Sequence, residues 1–399
     1  TRASTATYVD SDGLIKTARN GEARVDYTDS TDGALLLEPA RTNSITYSED
    51  LSGLNWLDTG ILSTDKNSII SPDGTLNGSK VIESAVNTEH RKRQSFSVVA
   101  NTQYTYTGYF KPLGNRNLCI LTRNSAFSSG YQVVFNFENE NIYITQAIGT
   151  GQLINASIEL QDNDWYKVSL TTIVDSTSTN AQIEIFIIKE NSTATSYLGD
   201  GLSGLYIWGV QAEQGSYATS YIPTSGSTVT RVADSCSGAG NSEVFNSSEG
   251  VLYADISFLE YSASAANQLS LSDGSGNNRI MIYPFSNTQL GIRFNANASQ
   301  LVSQTLNVQN LSNYSKLSIK WGNGNYSLYQ NGFEIYSQSI SDTPINLSKI
   351  NFSSVTETNP FYGNTKDVRV YNTALSEAQA NTKIAALPHV QDEDGNDVP

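Results

Sequence analysis

Short segments in which polar and apolar residues alternate, each closed by turn-forming residues, recur along most of this chain. Successive side chains of a strand point to opposite faces, so such alternation marks sheets with one face buried. Gln103-Tyr104-Thr105-Tyr106-Thr107-Gly108-Tyr109-Phe110 shows the pattern clearly. Residues 131–137 and 142–144 flank the turn-like Glu138-Asn139-Glu140-Asn141, and residues 157–160 and 165–174 flank Gln161-Asp162-Asn163-Asp164; each pair reads as a hairpin. Residues 181–188 and 205–210 add two strands, and 251–258, 267–271, 279–283, 290–294, 316–321 and 326–330 form a second series. The sharpest local signal is Asn331-Gly332 between Tyr329 and Phe333. That dipeptide accepts positive φ at both positions of a two-residue hairpin turn. Aromatics at 10 %, with 22 tyrosines, against only 16 % charged residues fit strands rather than long amphipathic helices.

At 399 residues the chain exceeds one ordinary core. The expected fold is all-β: two tandem antiparallel β-sandwich (jelly-roll) domains with a short N-terminal arm and one short C-terminal helix. Residues 1–43 hold too little apolar surface for a core of their own and read as an arm or anchor, packed on the first domain or on a neighbouring subunit. Residues 44–232 form the first sandwich. The small-residue connector Pro223-Thr224-Ser225-Gly226-Ser227-Thr228 precedes the second, at 233–388, and 389–399 is an acidic tail. The helix is expected over 373–386, with Thr373 or Ser376 as N-cap and Leu375, Gln379 and Lys383 at helical spacing.

A net charge of -15, from 24 basic and 39 acidic residues, argues against nucleic acid as a partner. The one basic run, His90-Arg91-Lys92-Arg93, reads as a solvated strand end, with a patch that meets anionic host polysaccharide as the alternative. Cys119 and Cys236 fall in different domains, so a disulfide between them is not expected. No apolar run approaches the roughly 20 residues that span a bilayer, so no membrane insertion is expected. A start at Thr1 and a single methionine, Met281, read as a fragment or processed product.

No catalytic residues are assigned. The two histidines, His90 and His389, lie in no nucleophile-elbow setting, and zinc sites of Cys and His ligands fail by count. Glycosidases use paired carboxylates, but the nearest pair, Asp255 and Glu260, brackets one strand on opposite faces. Asp10-Ser11-Asp12-Gly13 and Asp392-Glu393-Asp394-Gly395-Asn396 begin like calcium loops but lack later ligands, and ordinary turns explain them better. No metal ligand and no cofactor is assigned.

Alternation supplies one positive lead. Tyr104, Tyr106 and Phe110 share a face, which leaves Thr105, Thr107, Tyr109 and Lys111 on the other. Trp165, Lys167 and Ser169 lie opposite Tyr166, Val168 and Leu170, while Gln182, Glu184 and Phe186 lie opposite Ile183, Ile185 and Ile187. Each outer set joins an aromatic ring to polar groups, the make-up of a sheet face on which a sugar ring stacks and its hydroxyls are hydrogen-bonded. Tyr109, Trp165, Lys167 and Phe186 are therefore the carbohydrate-binding candidates. Trp321 shares a face with Leu317 and Ile319 and reads as core, and Trp208 lies on a strand apolar on both faces, which implies cover by another element.

Three stretches carry a resemblance. Thr1-Arg2-Ala3-Ser4-Thr5-Ala6-Thr7-Tyr8-Val9 with Asp12-Gly13-Leu14-Ile15, and Leu36-Leu37-Glu38-Pro39-Ala40-Arg41-Thr42-Asn43, resemble the opening of bacteriophage structural and fibre-like proteins. Residues 205–213 and 217–224 resemble the closing strand of the carbohydrate-binding-module-like domain in those proteins. Tyr326 to Gly332 and Asp367 to Ser376 look like a concanavalin/laminin-G-type lectin domain. The resemblance implies a non-catalytic protein on the virion surface or otherwise extracellular, a fibre or spike component attached to host-surface glycan. It also implies a homo-oligomer, a trimer as fibres commonly are, with the N-terminal segment meeting other virion proteins. A calcium ion at the sheet rim is a further implication, with no ligands assigned. Two alternatives stand beside it: a capsid- or tail-decorating protein without a ligand, and a secreted bacterial protein that binds or cleaves polysaccharide.

Overall fold

The computed structural model of the chain describes residues 1–175, 177–190, 192–262 and 267–375. It is all-β, and every strand pairing within its sheets is antiparallel. The first sandwich packs two six-stranded sheets face to face. One runs, in spatial order, Asn141–Ile148, Gly130–Asn136, Arg116–Asn124, Asn180–Lys189, Arg91–Ser97 and Leu57–Thr59. The other runs Gln152–Leu160, Tyr166–Ile173, Gln103–Leu113, Gly204–Gln214, Leu76–Glu83 and Ile61–Ile70. Tyr104, Tyr106 and Phe110 meet Ile183, Ile185 and Ile187 between them, so the alternation read from sequence points the right way on both sheets.

The second sandwich joins a seven-stranded sheet to a five-stranded one. Its core holds Leu252, Ile256, Phe294, Leu317, Ile319 and Trp321, the last fully buried. The turn between Asn325–Gln330 and Phe333–Ser339 has φ of 52° at Asn331 and 85° at Gly332, the doubly left-handed geometry that this dipeptide favours.

The N-terminal segment belongs to both sandwiches. Ala6–Val9 and Ile15–Ala18 form a hairpin whose Ile15 packs against Tyr109, Trp165, Trp208 and Tyr221 of the first sandwich and its connector. Val25–Asp26 and Ala34–Leu37 then extend the seven-stranded sheet of the second, with Leu36 opposite Asn364 and Leu37 in its core. Arg41–Asn43 pairs with Val229–Arg231 past the connector. A segment too small to build a core borrows one from each neighbour.

A buried ionic cluster locks this junction. Arg24 donates to Glu38 at 2.6 Å and to Asp234, Arg2 donates to Asp234 at 2.9 Å, and Arg231 contacts Glu38 at 2.8 Å. Ser220 donates to Glu38 from both N–H and Oγ. Each charged group thereby replaces lost hydration with several hydrogen bonds, as burial requires.

The basic run at 90–93 is not a solvated strand end. It leads into the strand Arg91–Ser97, which is paired on both sides, by Asn180–Lys189 and Leu57–Thr59, so its side chains alternate between the two faces. His90 and Lys92 are buried, with the His90 ring nitrogens 2.7 and 3.1 Å from the carbonyl oxygens of Gly60 and Tyr197, and Lys92 donating to Leu51 O and Asp58. Arg91 and Arg93 point outward. Cys119 and Cys236 are free thiols. The expected helix from 373 and the tail from 389 lie largely or wholly outside the described residues. Among the described residues, no helix is long and apolar enough to cross a membrane.

Candidate functional site

Gln103–Leu113 lies between Tyr166–Ile173 and Gly204–Gln214, so one row crosses the sheet as Trp208, Tyr109, Lys167, Glu159. Directly opposed residues share a face, here the face away from the first core. A register shift between Thr107 and Tyr109 distorts the ladder beside Gly209, whose φ is +63°. A Cβ at Gly209 would come within 3.1 Å of the Tyr109 ring, so glycine is what lets that ring settle edge-on to Trp208, at a centroid distance of 5.4 Å.

The two candidates Tyr109 and Lys167 are thus brought side by side. Trp165 lies next to them in the chain but is fully enclosed, with its indole N–H donating to Ile70 O at 3.1 Å. Ile15 and Ile69 complete its surroundings. The expectation of an open indole platform is corrected: the outer face it belongs to is covered by the N-terminal hairpin and the edge strand Ile61–Ile70. Phe186 lies on the opposite sheet, 1 % exposed, among Cys119, Leu121, Val134 and Ile188, with the Arg91 guanidinium 5.4 Å above its ring. Its face does point outward as read, but the ring is capped and offers no stacking surface.

What remains open is a cleft of about 120 Å³ where the N-terminal segment, the first sandwich, the connector and the second sandwich meet. Tyr8, Asp26 and Asp29 line it from the N-terminal segment, Tyr109 and Lys167 from the sheet, and Asn364 from the second sandwich. Asp26 is anchored, accepting the N–H groups of Val9 at 2.8 Å and Thr28 at 2.9 Å. Neither the Lys167 ammonium nor the Tyr109 hydroxyl has a hydrogen-bond partner among the described residues, and both residues line the cleft. Burial opposes the lysine charge, but Tyr109 and the carboxylates of Glu159, Asp26 and Asp29 outweigh it and hold its pKa above the ordinary lysine value. Burial pushes the Tyr109 phenol up. The pair therefore presents an ammonium and a protonated phenol, both donors, opposite carboxylate acceptors.

Asp26 and Asp29 were not readable as site residues, because the segment carrying them reads as a coreless arm. The carboxylates weighed as a glycosidase pair have separate fates. Glu260 accepts hydrogen bonds from Arg41 and Tyr217, each at 3.0 Å, while Asp255 is buried opposite Lys316 and Asp367 on the seven-stranded sheet. The Asp10 loop is an ordinary turn, with Asp10 Oδ1 accepting the N–H groups of Asp12 and Leu14. Among the described residues, no group of three or more His, Cys, Asp or Glu side chains is placed to hold a metal ion.

Residues 258–381 match the family model described as the concanavalin A-like lectin/glucanases superfamily, a laminin-G type, over about a third of the chain. No curated protein matches the chain. Among solved structures, the CBM40 of a Ruminococcus gnavus IT-sialidase is 16 % identical over 36 % of this chain and 93 % of its own, with a TM-score of 0.28. A SAP-like pentraxin from Limulus polyphemus is 14 % identical over 37 % of this chain and 73 % of its own, at 0.28. Domains LG4-5 of the mouse laminin alpha1 chain are 10 % identical over 73 % and 89 %, at 0.25. The chain is an all-β protein of sandwich domains, the second of which is similar to concanavalin A-like lectins.

Proposed function

We propose that this chain is a non-catalytic surface protein, a phage fibre or spike component, that attaches to host-surface polysaccharide through the junction cleft. One observation carries the reading: the Lys167 ammonium and Tyr109 hydroxyl stand unpartnered beside Asp26 and Asp29 in an open cleft. Buried or half-buried donors without partners are costly, and a ligand oxygen relieves that cost. Sugar hydroxyls accept from the ammonium and phenol and donate to the carboxylates. The cleft is smaller than the few hundred Å³ usual for larger ligands, which suits one terminal sugar unit. In this reading the chain acts outside the cell as a homo-oligomer, a trimer, with the N-terminal segment facing other virion proteins. Screening the recombinant chain on a glycan array tests the binding role, and light-scattering mass tests the assembly. Saturable binding of defined glycans supports the role; no glycan bound and a monomer at high concentration contradict it.

A further inference from the structure

The other sheet of the first sandwich carries a cationic face that the cleft does not use. On its outer side Arg93 lies opposite Glu184, Glu184 opposite Leu121, and Leu121 opposite Gln132. Glu184 is fully buried, and both its oxygens are taken, Oε2 by Arg91 at 2.6 Å and Oε1 by Arg123. Arg91 also contacts Glu89 at 3.0 Å. Arg93 is left over: it is half-buried on the same face and has no ion-pair or hydrogen-bond partner among the described residues. Strand spacing puts Arg93 about 7 Å from Arg91, about 12 Å diagonally from Arg123 and about 14 Å from Gln132, the span of two or three sugar units.

An aromatic ring borders this face. Phe127 is 47 % exposed, and the Arg123 guanidinium lies 4.5 Å from its ring centroid. Its φ of +59° is a left-handed conformation that a bulky residue adopts only under constraint. A planar guanidinium fork matches carboxylate or sulfate oxygens, and an exposed aromatic ring suits the apolar side of a sugar ring.

From this arrangement we infer that the outer face around Arg93 binds oxyanion-bearing saccharides, with Arg93 on the carboxylate or sulfate, Gln132 on ring hydroxyls and Phe127 beneath the sugar. This site is separate from the junction cleft and stands whether or not the cleft binds sugar. The Arg91–Glu184–Arg123 set fixes the face and leaves Arg93 as its uncommitted charge. In a chain of net charge -15, such a site works by local contact, because more distant charges are screened beyond about 8 Å at physiological salt.

The test titrates the full chain with oligogalacturonate as the carboxylate probe, a heparin-derived oligosaccharide as the sulfate probe, and a neutral maltooligosaccharide as control. The expected result is saturable binding of at least one acidic probe, weakened by added salt, with no binding of the control at this face. Arg93→Ala and, separately, Phe127→Ala should each weaken it by about tenfold or more. Arg93→Ala removes no hydrogen bond or ion pair among the described residues, so a melting temperature close to the parent's is expected alongside the loss. Lys167→Met, in the cleft, should leave acidic-probe binding intact. Equal binding by Arg93→Ala and the parent, absence of binding by both acidic probes, or loss through Lys167→Met alone would each overturn the inference.

Discussion

Arg24 and Asp234, 210 residues apart in sequence, form a buried ion pair that ties the N-terminal segment to the start of the second sandwich. The same Asp234 accepts from Arg2 and from the Glu38 N–H. Removing one member of such a pair strands the other charge in a dry site. Asp234→Asn or Arg24→Met is expected to destabilise the chain by about 3–5 kcal/mol, read as a lowered urea midpoint. A midpoint within error of the parent would mean that the junction is not under this control.

Glu38 gives the junction a pH dependence. Burial alone would raise its pKa, but Arg231 and Arg24, helped by Ser220, hold it at about 2 against an ordinary 4.5. A carboxyl depressed on folding contributes stability that is fully present above its unfolded pKa and is lost as pH falls through the folded one. The contribution, roughly 3 kcal/mol, therefore fades between about pH 4.5 and 2. Buried Glu213, whose pKa burial raises despite Thr219 and Gln211, works in the opposite sense, and its gain on acidification comes above about pH 4.5, before the Glu38 loss begins. Melting temperatures across that range should fall for the parent more steeply than for Glu38→Gln, which starts lower.

Trp165 is a packing residue. Trp165→Ala is expected to cost about 3–5 kcal/mol by emptying the space beneath the hairpin, seen as a drop in thermal midpoint. At temperatures where the variant is folded, its glycan binding should match the parent's.

Burial, with Glu184 beside it, pushes the Cys119 thiol up, which suppresses the reactive thiolate. A thiol reagent should titrate Cys119 only after denaturation, when two equivalents per chain are expected, and reductant should leave the melting temperature unchanged. A native chain with fewer than two thiols in denaturant would contradict the two free cysteines.

Local chemistry was legible in the sequence. Asn331-Gly332 specifies its own turn, and the alternation of Tyr104, Tyr106 and Phe110 specifies which side faces the core. Parity, however, says which face a side chain takes and nothing about what covers that face. Trp165 and Tyr109 share an outer face that Ile15 closes from far along the chain, so one reads as open and is sealed while the other stays at a cleft. Ile61–Ile70 is an edge strand of mostly exposed, polar residues and carries little periodic signal. Ala34–Leu37 reads as a fragment because its partner, Gly363–Tyr371, lies at the far end of the chain.

Titration calorimetry with an array-selected glycan tests the central claim most directly, on the parent, Lys167→Met and Tyr109→Phe. Loss of a hydrogen-bonded ammonium should weaken binding by about tenfold or more, and loss of one phenol hydroxyl by a smaller factor, with melting temperatures unchanged. Parent-like affinity in both variants would show that the junction cleft is not where this protein holds its glycan.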